Sequence, residues 1–147
     1  GQKVIAPDWV AMVQAELALA RGDFAEAAQR AEEAVAIAQT QNGLFSGGLA
    51  RRIWAQALLS QGGAAADIRA HLAVSTQQLQ DGGCALELVR TDVLYGSLVA
   101  YQGEAERAHT YFAAASAKLR EFGLPQEADK VESMRAILLH GRVPLPT

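Results

Sequence analysis

The segment Gly43-Leu-Phe-Ser46-Gly47-Gly48 is the first place where residue types suggest chemistry. A glycine-rich loop can cradle phosphate through its backbone N–H groups, but this one lacks a lysine at the required spacing. Ser46 stands one position off the G-x-S-x-G arrangement of a hydrolase nucleophile, and no strand-forming run precedes it. The segment therefore reads as an interhelical linker, where glycine's backbone freedom suits a turn. The histidines His71, His109 and His140 have no second His or Cys three or four residues away. Metal ligation needs three or four convergent donors, so neither a metal site nor a cofactor is expected. Cys84 opens a helical stretch, where a helix dipole would lower a thiol's pKa, but a lone cysteine after two glycines reads as a small filler. The carboxylates Glu32, Glu33, Glu127 and Asp129 have polar neighbours and read as solvated. Nothing in this set points to an enzyme.

The elements that carry these residues are set out by glycine. Gly43, Gly83 and Gly123 recur every 40 residues, and Gly22, Gly62 or Gly63, and Gly103 fall between them. Each interval has the length of one helix, and each glycine is a plausible terminus. Within the intervals, apolar residues recur at three and four. One stripe is Phe24, Ala27, Ala28, Ala31, Ala34, Val35 and Ala38; another is Ala105, Ala108, Tyr111, Phe112, Ala115, Leu119 and Phe122. Asp23 with Glu26 makes a D-x-x-E capping box, and Pro125 suits a first helical turn. Pro144 and Pro146 bar a helix from the tail that starts at Gly141. The spacing predicts seven helices, at 7–21, 23–41, 44–61, 64–80, 84–102, 104–121 and 125–140. Links of two to four residues make neighbours antiparallel.

Composition agrees. The 147 residues are half hydrophobic, with 9 aromatics, and the net charge is -3. Alanine, the best helix former, is abundant, and strand formers are scarce. An acidic balance argues against direct nucleic-acid binding. No apolar run approaches the roughly 20 residues of a membrane span, and no signal peptide is visible. The single cysteine excludes an internal disulfide framework and fits a reducing, cytoplasmic setting. A chain that starts at Gly1 without Met is expected to be a piece of a longer protein.

The segment Gly22-Asp-Phe-Ala-Glu-Ala27, continued by Ala31 and Ala34, resembles the second half of a tetratricopeptide repeat. Gly103, Ala108, Phe112 and Ala115 repeat the spacing. The middle copy, Gly63, Ile68, Leu72 and Ser75, is degenerate, with Gly62 as an extra residue. Seven before each turn glycine stands a small residue: Ala15, Ala55 and Gly96. The resemblance implies an all-α fold, a right-handed superhelical α-solenoid of antiparallel hairpins with about three and a half repeats. These would be 3–42, 43–82 and 83–122, then a terminal helix 123–141 and an irregular tail 142–147, in one domain spanning 1–147. The 40-residue period is longer than the usual repeat. It resembles the long-helix repeats of bacterial multidomain regulators, such as maltose-activator-like transcription factors and cyclase-linked signalling ATPases. The resemblance implies a concave face lined by Trp9, Glu16, Arg52, Gln56, Arg90, Ser97 and Tyr101, suited to a protein or peptide segment. A small-molecule sensor domain is the second implied role. The apolar residues of the end helices, Trp9, Met12, Val13 and Leu17 or Ile137, Leu138 and Leu139, suggest a weak homodimer. Trp54 reads as core.

Overall fold

The computed structural model describes residues 8–142, with side-chain surroundings given for 9–138. The described chain is all-α. Its seven helices are α1 (Asp8–Ala20), α2 (Phe24–Gln41), α3 (Leu44–Ser60), α4 (Ala65–Asp81), α5 (Ala85–Tyr101), α6 (Ala105–Glu121) and α7 (Pro125–Arg142). The chain forms two compact units divided after Cys84. In the first, α1 packs on α2, α2 on α3 and α3 on α4, and α1 also touches α3; in the second, α5 packs on α6 and α6 on α7.

The links between the seven helices follow one rule. Gly22, Asn42, Gly62, Gly83, Gly103 and Gly123 all have positive φ. The next residue's N–H then returns to a carbonyl five positions back, as in Asp23 to Ala18 and Glu104 to Val99, both 2.9 Å. This satisfies the orphan carbonyls of the preceding helix. Asn42 takes the left-handed role expected of Gly43, which instead precedes α3 in extended geometry. Asparagine tolerates that region because its short polar side chain bonds locally. The α3–α4 link does hold one residue more than its counterparts, but Gly62 is its left-handed residue, and the addition lies between Gly62 and α4.

Three further expectations are corrected. Gly47 and Gly48 are buried inside α3 and not in a linker. A Cβ on Gly48 would come 2.6 Å from Leu79, so this glycine serves close helix approach and not a turn. The Asp23 side chain does cap α2, accepting from Glu26 N–H, but Glu26 does not reciprocate. Its carboxylate lies 3.0 Å from Arg21, because the Asp23 N–H is already used by Ala18. Helix α7 includes Gly141 and Arg142. A proline restricts the residue before it, so Pro144 acts first on 143 and leaves 142 free to be helical.

The cores are built of small residues. In the first unit Ala11, Met12 and Ala15 of α1 meet Ala31, Ala34 and Val35 of α2 and Leu49, Ala50 and Ile53 of α3. A second cluster joins Ala18, Ala27 and Ala57. In the other unit Val89 and Val99 pack with Ala108, Phe112, Ala115, Leu119, Ala128 and Val131. The small residues seven before the left-handed glycines, Ala15, Ala55 and Gly96, are all buried. At Gly96 an added Cβ would meet the Phe112 ring at 2.6 Å. Burying alanine faces lets helices approach closely at little side-chain entropy cost.

Candidate functional site

The residues expected on a concave face divide between the units. Glu16 and Gln56 stand at matched places, six before Gly22 and Gly62, and both are exposed. Arg52 is half-buried one turn earlier on α3, and Trp9 is exposed on the first turns of α1. In the other unit Tyr101 is exposed at the end of α5, and the Ser97 hydroxyl donates to the Val93 carbonyl at 3.2 Å. Arg90 has its carboxylates supplied from within the chain. Its Nε and one terminal nitrogen both lie 2.8 Å from Glu127 of α7, and the other terminal nitrogen lies 2.6 Å from Glu87. These bonds, led by the one to Glu127, hold its pKa above the ordinary arginine value. Glu127 is thus a clamp between α5 and α7, not a solvated carboxylate. Asp129 pairs with Arg120 at 2.7 Å and stays largely exposed, as its solvated reading expects.

One exposed stripe of α1 is apolar, flanked by the exposed Gln14 and Glu16. Trp9, Val13 and Leu17 follow at every fourth residue and are 56%, 37% and 54% exposed. Glu16 is the one charge between Trp9 and Ala20. Met12, expected beside them, is buried in the core. The matched residues of α3 are Leu49, Ile53 and Ala57, counted from Gly62 as Trp9, Val13 and Leu17 are from Gly22. All three are buried, in clusters that include Ala27, Ala31, Ala34 and Val35 of α2. At the other end, Ile137 is 70% exposed and Leu138 packs against the core; the Leu139 side chain lies outside the described residues.

Two polar clusters went unread in the sequence. In the α3–α4 hairpin, Trp54 packs at the core edge, as expected, and stacks on His71 with ring centroids 4.0 Å apart. The Arg51 guanidinium lies 5.6 Å from the centre of the Trp54 ring, and one of its nitrogens donates to His71 Nδ1 at 3.0 Å. Burial first, then the Arg51 charge, pushes the His71 pKa down against the pull of Asp67. In the α5–α6 hairpin, Tyr95 and Tyr111 stack with centroids 6.1 Å apart. Beside them is an open cleft of about 390 Å³ lined by Asp92, Arg107, Thr110, Tyr111 and Ala114. Burial raises the Asp92 pKa, opposed by Lys118.

A second cleft of about 380 Å³ shares Thr110 and Ala114 with the first and continues to His109 and Arg135. There Arg135 donates to His109 and pairs with Glu132 at 3.0 Å, while Ser116 donates to Glu132. The Ser116 bond, then Arg135, holds the Glu132 carboxyl below its usual range. Among the described residues no three His, Cys, Asp or Glu side chains are grouped to hold a metal ion, and no helix is long and apolar enough to cross a membrane. Compared with protein-family models, curated proteins and solved structures, the chain matches none of them. The tetratricopeptide likeness rests on the spacing of its own residues.

Proposed function

We propose that this chain is a non-enzymatic, tetratricopeptide-like scaffold that binds another protein. On this reading it is a cytoplasmic regulatory or interaction domain of a larger bacterial signalling or transcription protein. The observation that supports the reading is the face of α1. Val13 and Leu17 are exposed where the matched Ile53 and Ala57 of α3 are buried in clusters with α2. Apolar side chains kept at positions that a neighbouring helix covers elsewhere in the same chain are suited to a helical partner. Trp9 supplies a large anchor at one edge of that face, of the kind that dominates binding energy.

The test is replacement of Val13 and Leu17 together by Glu, with helicity checked by circular dichroism. The doubly substituted chain should lose a partner captured by the unaltered chain by at least about tenfold in affinity, since two buried aliphatic contacts are lost and two charges desolvated. In sedimentation, any weak self-association of the unaltered chain should vanish in the same variant. Unchanged binding would remove α1 from the interface. The sensor reading draws on the cleft beside Asp92, whose volume falls in the range of small-ligand sites. Its openness to solvent fits an extended protein segment better than an enclosed metabolite.

A further inference from the structure

Hairpins α3–α4 and α5–α6 carry the same cluster at matched positions, with one change of chemistry. Counted back from Gly62 and Gly103, Arg51 matches Asp92 and Trp54 matches Tyr95. Counted with the buried series Ile68, Leu72, Ser75, Leu79 and Ala108, Phe112, Ala115, Leu119, His71 matches Tyr111. The α3–α4 aromatic pair has its own cation, Arg51, above Trp54 and bonded to His71. In the α5–α6 hairpin the aromatic pair is retained, and the cation's place is taken by a carboxylate.

The groups that could neutralise Asp92 are engaged or remote. Arg107 lines the same cleft, but its guanidinium lies 3.0 Å from Glu104. Lys118 acts on Asp92 through its charge, without an ion pair. No described residue gives the Asp92 carboxylate a hydrogen bond or salt bridge. A half-buried carboxylate beside a tyrosine face and a threonine hydroxyl is the complement of an organic cation: the carboxylate pairs with it, the ring face attracts it, and the hydroxyl accepts a further N–H.

We propose that this cleft receives the ammonium or guanidinium of a lysine or arginine side chain from a partner segment, with Asp92 as its counter-ion and Tyr111 as its aromatic wall. The proposal rests on the protein-binding reading for the source of the cation. The chemistry of the site is tested without it, and without α1.

The experiment is NMR titration of the whole chain with agmatine, an alkyl guanidinium, and then with the peptide acetyl-Gly-Arg-Gly-amide. The Asp92 carboxyl and Tyr111 ring signals should shift saturably at millimolar concentrations, while the Trp54 indole signal, whose cation site is already filled, should stay in place. Asp92→Asn should weaken binding about tenfold, as expected for losing one charge-assisted contact. Asp92→Arg, which rebuilds the arrangement of the preceding hairpin, should abolish it. Equal binding by Asp92→Asn, or no saturation by either probe, would overturn the proposal. Binding that appears only after Arg107→Ala would show that Arg107 already fills the site, and would overturn it too. Agmatine binding without any peptide binding would overturn the partner segment as the source of the cation.

Discussion

Arg51 and Asp92 occupy one position in successive hairpins, eleven residues before the left-handed glycine that ends each first helix, and they carry opposite charges. The same scaffold position therefore closes an aromatic pair with a cation in one unit and leaves a carboxylate beside an aromatic pair in the other. Asp92 in its charged form costs folding energy, because burial raises its pKa above the unfolded value. Its penalty grows as pH rises from the ordinary aspartate range through the folded pKa. Asp92→Asn should therefore stabilise the second unit at pH 7 by about 0.5 kcal/mol, a figure discounted for the group's partial solvent access. Urea unfolding at pH 7 checks it, and the gain should shrink towards pH 4.

His71 makes the opposite kind of pH dependence. Its folded pKa lies below the ordinary histidine value. Between the two values the unfolded chain binds more protons than the folded one, so stability is full above about pH 6.5 and falls as pH drops towards the folded pKa. Protonation also costs the bond that Nδ1 accepts from Arg51. The first unit should lose up to about 1 kcal/mol between pH 7 and pH 5, and His71→Phe should flatten that slope. Trp54 fluorescence in a Trp9→Phe background reports it directly, since His71 stacks on that ring.

Gly96 marks a close helix approach in the second unit. Gly96→Ala gains helix propensity but drives a methyl group into the Phe112 ring. The net loss should be about 1–2 kcal/mol by denaturant unfolding, and Gly96→Ala with Phe112→Leu should recover part of it. Gly48→Ala should behave alike in the first unit, where Leu79 is the obstacle.

The Arg90–Glu127 clamp ties α5 to α7 with two parallel bonds. Both side chains are about a third exposed, so Glu127→Gln should cost only about 1 kcal/mol. Its loss should loosen the start of α7, seen as faster amide exchange around Ala128 and Val131 than around Phe112.

The helices are legible because glycines and apolar spacing mark nearly every segment, Asn42 taking the turn beside Gly43, and their ends fall close to the expected places. Glycine was legible as a marker but not in its purpose. Gly47 and Gly48 read as turn formers, and only the positions of Gln78 and Leu79 show that they make room for α4. Arg90 was legible as a fork for carboxylates, yet its partner Glu127 lies 37 residues away, beyond any local pattern. Asp92 carries no signal in its local sequence. Its match with Arg51 is hidden by the extra residue of the α3–α4 link, which shifts the helices of the two hairpins by 41 and 40 residues. The α1 face was expected to be apolar, but which of its residues belong to the core, Met12, and which to the surface, Val13, depends on the packing against α2 and α3.

The most direct measurement of the protein-binding reading is photo-crosslinking in cells with p-benzoylphenylalanine placed singly at Val13, at Leu17 and, as a control, at Gln29 on the exposed side of α2. The account predicts one discrete protein adduct, to another chain or to a second copy of this one, from positions 13 and 17 and none from 29. No adduct from 13 and 17, or the same adducts from 29, would contradict it.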